Sequence, residues 1–365
     1  MSDKNSIGVG VVGTGFARTT QLPGWAACAG ARVVAVASGR RENAEAAARE
    51  FGVPFVGSDW REVVAREDVD LVSIVTPPAT HAEMAAAALG AGKAVLCEKP
   101  MAMNAEETAR MCGAARASGR LALIDHELRF LPARRLMREL ILGGGLGRVR
   151  HAKLLFRADS RAVADRPWNW WSDERAGGGA LGAIGSHAVD ALHWLLGTRV
   201  SHVSAALTTG VAERPDPATG EPRAVTSDDA ASLLVNFEDG GAAERATGVV
   251  AISMTEAGRP EHTVEVFGTE GALRLDGAGR LSRAGVGRGE WEPVGAAQAP
   301  LAEGMRDSEW SRGFTVFAQE IVAALREGRT EVEGAATFED GHHTQLVLDA
   351  ARAAHASGCR VSVGE

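Results

Sequence analysis

Ala94-Val95-Leu96-Cys97-Glu98-Lys99-Pro100 is the stretch on which the fold turns. Its apolar run has strand length, and the proline stops it because proline has no N–H for a ladder. In an open α/β sheet, ligands sit beyond the carboxyl ends of the strands. Lys99 is therefore expected at the rim of a crevice. A lysine beside a turn is by itself most often a surface residue, and only the rest of the chain decides otherwise.

Toward the N-terminus, residues 7–12 predict a first strand, followed by Gly13-Thr14-Gly15-Phe16-Ala17-Arg18. Two glycines between a strand and a helix allow a tight turn and let a backbone approach a pyrophosphate. Arg18 stands at the third glycine position of the dinucleotide fingerprint, either as a mismatch or as an arginine that contacts phosphate itself. Further strands are predicted over residues 32–37, 53–56, 70–75, 94–97 and 121–124. Helices are predicted over residues 42–51 and 59–65 and after Thr80 and Asn104, with Thr80 and Glu83 at capping-box spacing. This alternation predicts an α/β domain over residues 1–125, an N-terminal Rossmann doubly wound parallel sheet.

The end of the second strand bears on the cofactor. A carboxylate there binds the ribose 2′-hydroxyl of NAD, whereas arginine accommodates the 2′-phosphate of NADP. The chain has Ser38-Gly39-Arg40-Arg41, with no acid until Glu42. NADP is expected, with NAD possible.

Residues 126–365 follow a different grammar. Strand patterns at 148–157, 200–208, 231–237, 247–254, 263–267 and 272–275 predict a C-terminal α+β domain with a large, mostly antiparallel open sheet. A helix over residues 132–141 precedes them. Helices over 314–326 and 338–356 close the chain, and are expected to pack back on the first domain. Residues 214–223 and 277–304 read as loops rich in Gly, Pro and Ala. One strong helix interrupts the strands, beginning at Gly177-Gly178-Gly179 and running past Trp194. His187, Asp190 and Trp194 share one face of it at i, i+3, i+7 spacing. That pattern suits a self-satisfied packed helix as well as a site. Upstream, Trp168-Asn169-Trp170-Trp171 offers indoles that could stack on a sugar ring or anchor a loop. Asp173 and Glu174 follow as candidate hydroxyl-binding carboxylates.

Composition narrows the function classes. The 365 residues suffice for two ordinary domains. A formal net charge of −8 argues against a nucleic-acid surface. No apolar run reaches the roughly 20 residues of a membrane helix. Four cysteines without CxxC or metal-type spacing predict reduced thiols and no metal site. The first residues lead straight into a strand pattern with no signal segment, which predicts a cytoplasmic protein. The absence of tyrosine excludes a phenol as general acid or base.

The chain resembles the glucose–fructose oxidoreductase / inositol dehydrogenase family, written Gfo/Idh/MocA, over nearly its whole length. The matching residues are Gly13-Thr14-Gly15, Thr76-Pro77-Pro78 with His81, Glu98-Lys99-Pro100, Arg129-Phe130-Leu131-Pro132, the 177–194 segment, and Thr337-Phe338-Glu339-Asp340-Gly341. The resemblance implies an NAD(P)-dependent oxidoreductase that transfers a hydride between nicotinamide and a CH–OH carbon of a sugar, polyol or related cyclic hydroxy compound. It implies Lys99 and His187 as catalytic residues. The implied cofactor site takes in Gly13, Thr14, Gly15, Phe16, Arg18, Ser38, Arg40, Arg41, Thr76, Pro77, His81, Glu98 and Lys99. The substrate side takes in Lys99, His126, Arg129, Trp168, Trp170, Ala183 and His187. A homodimer or homotetramer formed through the open sheet is implied as well. One departure stands out: the family pattern has aspartate four residues before the histidine, where this chain has Ala183. Either Asp173, Glu174 or Asp125 replaces it, or the substrate needs none, or the protein is not a dehydrogenase. The alternatives are a cofactor-binding regulatory protein without turnover and an NAD-dependent glycoside-cleaving enzyme that uses transient oxidation.

Overall fold

Parallel strands covered on both faces read as continuous apolar runs, and β1 (Ile7–Val12) is such a strand, buried from Gly8 onward. The computed structural model describes residues 6–364. The N-terminal segment read above for a signal, residues 1–5, lies outside the described residues. The chain divides into two compact units, the first running through Leu131 and resuming over Ala299–His342, the second holding Pro132–Gln298 and His343–Glu365. The sequence reading draws its boundary at 125/126 and places all later residues in one domain.

In the first unit the elements are α1 (Gly15–Thr19), α2 (Gln21–Ala27), β2 (Ala31–Ala37), α3 (Arg41–Phe51), β3 (Phe55–Gly57), α4 (Trp60–Val64), β4 (Leu71–Ile74), α5 (His81–Gly90), β5 (Ala94–Cys97), α6 (Ala105–Ser118) and β6 (Ala122–Ile124). β1 pairs in parallel with β2 on one side and β4 on the other. The strand order is β6-β5-β4-β1-β2-β3, so the winding direction reverses between β1 and β4. In doubly wound sheets that reversal opens the ligand crevice.

The first unit is completed late in the chain, by α9 (Glu309–Arg326) and by β17 (Ala336–Thr337), a seventh, antiparallel strand beside β6. Phe314 of α9 meets Trp25 edge-on at 5.3 Å, and Phe317 stacks on Phe130 at 4.3 Å. All four rings are buried.

One local expectation fails. Thr80 does not cap α5, because a 3-10 turn over Pro78–Thr80 leads into the helix and draws the Thr80 hydroxyl to Pro77 O at 2.8 Å. Glu83 instead pairs with Arg61 at 2.6 Å. The capping box of this unit is Asp59 with Glu62, at the start of α4.

In the second unit, α7 (Pro132–Leu142) precedes β7 (Val149–Arg157), followed by α8 (Ser186–Leu196), β8 (Val200–Thr208), the small hairpin β9 (Glu213–Pro215) and β10 (Pro222–Ala224), β11 (Ala230–Phe237), β12 (Ala243–Ser253), β13 (Glu261–Gly268), β14 (Gly271–Asp276), β15 (Leu281–Gly285), β16 (Glu292–Val294), the later part of α10 (Phe338–Ser357) and β18 (Val361–Ser362). Nine strands form one sheet in the order β16-β15-β14-β13-β7-β12-β11-β8-β18. Every pairing is antiparallel except β7 with β12. One face is core: Ala152, Val235, Val266 and Leu273 cluster there with Leu181, Leu192 and Leu195. Loops read at 214–223 and 277–304 contain the hairpin and the last two strands at one side of the sheet, β15 and β16, which are too short and polar to show as apolar runs.

The interrupting helix starts later than its glycines suggest. Gly177 and Gly179 have φ of +85° and +117°, a region that suits glycine. A Cβ on Gly178 would lie 2.3 Å from Trp171 O. The triple glycine is therefore a close backbone crossing. A single π turn over Leu181–Gly185 leads from it into α8.

Candidate active site

In the first unit the expected cofactor residues gather at the carboxyl ends of β1, β2, β4 and β5. Gly13 has φ +100°, and its N–H donates to Ala37 O at 2.8 Å. A Cβ there would sit 2.2 Å from Val75 O, so this turn closes only with glycine. Gly15 differs: nothing lies within 4 Å of its Cβ position. The space beside it is open, as it is beside Gly39, which suits a dinucleotide approaching the turn. The Thr14 hydroxyl reaches Ser38 Oγ at 3.4 Å, tying the ends of β1 and β2 together.

The basic residues sort themselves by partner. Arg18 donates to Glu50, with Nε at 2.9 Å, and Arg41 donates to Glu45 at 3.0 Å. Arg40 is exposed, and among the described residues its guanidinium has no partner. Phe16 is exposed, and Thr76 shares a 2.7 Å hydrogen bond with Thr80. His81 is wholly buried between two strand-end turns, with Nε2 2.8 Å from Thr76 O and Nδ1 3.1 Å from Pro100 O. Burial pulls its pKa below the usual histidine range. His81 thus straps the turn carrying Thr76 and Pro77 to the turn carrying Lys99.

Lys99 is half-buried just past β5. Glu98 beside it points inward. Its Oε1 accepts from Gln21 Nε2 at 2.8 Å and its Oε2 from the Lys99 N–H at 3.4 Å. The same Gln21 Nε2 donates to Asp125 Oδ2 at 2.8 Å, and Ser73 Oγ donates to Gln21 Oε1. Asp125 and Glu127 are pushed well above the usual carboxylate range, chiefly by burial and then by neighbouring carboxylates. Burial raises Glu98 too, while the charge of Lys99 pulls it back. His126 and Arg129, expected on the substrate side, are both buried, and Arg129 faces Asp340 at 3.6 Å.

In the second unit, His187 and Asp190 are buried on α8, and Trp194 is half-buried. Asp228 pins the start of the π turn: its Oδ2 accepts from the Leu181 N–H at 2.7 Å and its carbonyl from Ala180 N at 2.9 Å. Burial raises the Asp228 pKa. Trp168 is an anchor. Its Nε1 donates to Ala224 O at 3.0 Å, and the Arg223 guanidinium covers one face at 3.2 Å. Arg161 covers Trp171 in the same way at 4.3 Å. Trp170, 41% exposed, is the indole of this run left open.

Two family descriptions match the chain. Residues 7–126 match the oxidoreductase family with an NAD-binding Rossmann fold, and residues 135–274 match the GFO/IDH/MocA C-terminal domain. The chain belongs to the GFO/IDH/MocA family. It is 31% identical to levoglucosan dehydrogenase of Pseudarthrobacter phenanthrenivorans over 344 residues, 86% of this chain and 85% of that one. It is 32% identical to human glucose-fructose oxidoreductase domain-containing protein 2, over 96% of this chain and 92% of that one. Among solved structures, levoglucosan dehydrogenase in complex with NADH and L-sorbose superposes with a TM-score of 0.87 at 28% identity, covering 99% of each chain.

In this GFO/IDH/MocA member Ala183, where the resemblance puts the family's aspartate, is half-buried in the π turn. Each of the three carboxylates expected to replace that aspartate has its own local setting. Asp125 lies in the buried cluster of the first unit, Asp173 Oδ1 caps its own turn through Arg175 N at 3.0 Å, and Glu174 is exposed. Sequence reading missed Gln21, Ser73 and Asp228. Their signal is three-dimensional: each bonds to a residue at least 47 positions away.

Proposed function

We propose that this chain is an NADP-dependent dehydrogenase or reductase of a sugar, polyol or related cyclic hydroxy compound. The observation that carries this reading is the row of strand ends in the first unit. Gly15, Ser38, Thr76 and Lys99 follow β1, β2, β4 and β5 in turn, with open space at the glycines. The likeness to levoglucosan dehydrogenase supports a sugar-type substrate. Nicotinamide, when bound, supplies the hydride donor or acceptor. His187 serves as proton acceptor for the hydroxyl that is oxidised, as an imidazole near neutrality can. Lys99 stabilises negative charge developing on the reacting oxygen. A screen of sugars, inositols and keto-sugars against both cofactors, read at the reduced-nicotinamide band, tests the proposal. Net NADPH formation supports it, and product formed with no net change in tightly held cofactor points to glycoside cleavage. Ala183 favours one rival, a cofactor-binding regulator, for which no compound in the screen turns over.

The NADP preference rests on Arg40, the exposed arginine at the second strand end whose guanidinium has no partner among the described residues. A hydrogen bond to a charged group is worth about 1.5–3 kcal/mol, so one well-placed arginine favours NADP by roughly 10- to 150-fold. Arg40→Ala is expected to weaken NADP by that factor and to leave NAD nearly unchanged, as read by fluorescence titration. Equal losses for the two cofactors sink the assignment.

We also propose a homo-oligomer formed through the open face of the nine-stranded sheet. Leu234, 61% exposed in β11, lies opposite Val249 on that face, in a row that continues through Lys153 and Glu265. Leu234→Arg is expected to lower the mass seen by light scattering to that of the monomer. An unchanged mass places the interface elsewhere.

A further inference from the structure

Three carboxyl groups are buried directly behind Lys99. They come from positions after β5 and β6: Glu98, Asp125 and Glu127. Two carboxylates in contact in a buried setting cannot both ionise cheaply. Glu98 Oε1 and Asp125 Oδ2 both accept from the single Nε2 of Gln21, each at 2.8 Å, which brings the two carboxyl groups side by side. Gln21 is held in that orientation by Ser73, whose hydroxyl occupies its carbonyl oxygen. Among the described residues, Asp125 Oδ1 and Glu127 Oε2 are buried with no hydrogen-bond donor facing them. A neutral acid tolerates that situation far better than a carboxylate does.

We infer that Gln21 and Asp125 are positioning residues. Asp125 holds its proton and donates it to the Glu98 carboxylate, and Gln21 locks the two together, so that Glu98 fixes the backbone and the charge environment of Lys99. The inference rests on the proposed role of Lys99 in hydride transfer. The charged and titratable groups around Asp125 are Glu98, Lys99 and Cys97 from the β5 end, Glu127 after β6, and Glu309 of α9 through Glu127. The charge of Lys99 acts on all three carboxyl groups.

The test has an arm that needs no turnover. A group protonated in the folded chain and ionised in the unfolded one contributes stability below the ordinary carboxylate range that is lost as pH rises through its folded pKa. The denaturant midpoint of the native protein is therefore expected to fall as pH rises above the ordinary carboxylate range, and that of Asp125→Asn to fall less, since asparagine has no proton to lose. Carbon-13 NMR of aspartate carboxyls should show one that stays protonated above the ordinary carboxylate range in the native protein and is absent from the variant. Parallel denaturation curves, or an Asp125 resonance that titrates in the ordinary range, overturn the stored proton.

The second arm uses turnover. Asparagine is neutral and can donate as protonated aspartate does, whereas leucine cannot. Asp125→Asn should retain roughly tenfold more kcat than Asp125→Leu, with dinucleotide Kd alike in both. Equal kcat in the two variants overturns the positioning role. If the native protein turns over nothing while the stored proton is present, the enzymatic reading has failed and the buried clamp has not.

Discussion

Lys99→Met is expected to lower turnover by roughly 100-fold or more, the range usual for a positioned acid–base or charge-stabilising group. Methionine keeps the length of the stem and removes only the ammonium. His187→Ala should cause a loss of similar size, because a buried imidazole on α8 has no obvious substitute for taking up a proton. Dinucleotide affinity, measured by titration, should stay within about tenfold in both variants if, as proposed, the turn and the second strand end hold the cofactor. A variant with near-native turnover on the true substrate would falsify the role assigned to that residue.

The second large effect separates two glycines of one turn. Gly13→Ala forces a Cβ to within 2.2 Å of Val75 O at a φ of +100°. A left-handed backbone alone costs about 1–2 kcal/mol for a residue with Cβ, and the clash adds to it. Stability should drop by roughly 2–4 kcal/mol in denaturant unfolding, in line with other strained core sites. Gly15→Ala should leave stability within about 0.5 kcal/mol, because its Cβ meets no protein atom within 4 Å. It should nonetheless weaken the dinucleotide by roughly 100-fold, about 2.7 kcal/mol, if a pyrophosphate occupies that space. Unchanged affinity in Gly15→Ala would mean the open space is not where the cofactor lies.

The first unit was legible because its strands are parallel and covered on both faces. The runs at residues 7–12, 71–74 and 94–97 are almost wholly apolar, and glycine or proline ends each of them within a few residues. The second sheet was legible through alternation, as in β11, where buried and accessible residues alternate. The hairpin at residues 213–224 had no apolar signal and went unseen. Thr80 misled because capping-box spacing says nothing of the Pro78 turn ahead of it. The cluster behind Lys99 was invisible for a different reason. Gln21, Ser73, Glu98 and Asp125 stand on separate elements, and only closing the sheet brings them to one point. Among the site residues, Lys99 announced itself by following a strand, whereas the anchoring of Trp168 by Arg223 depends on a hairpin that the sequence hides.

The late arrival of α9 has a consequence for the order in which the protein can be made. Residues up to Leu131 contain the nucleotide turn and six strands, yet they leave Trp25, Leu22 and Phe130 without Phe314, Phe317 and Ile321 against them. On the ribosome, that half of the molecule must wait, partly uncovered, while eight of the nine strands of the second sheet are synthesised. Its core closes only once the chain has passed residue 342. Cutting the gene at the sequence boundary of a Rossmann unit would therefore yield a fragment with an exposed aromatic flank, whereas splicing residues 299–342 onto residue 131 would restore the missing wall.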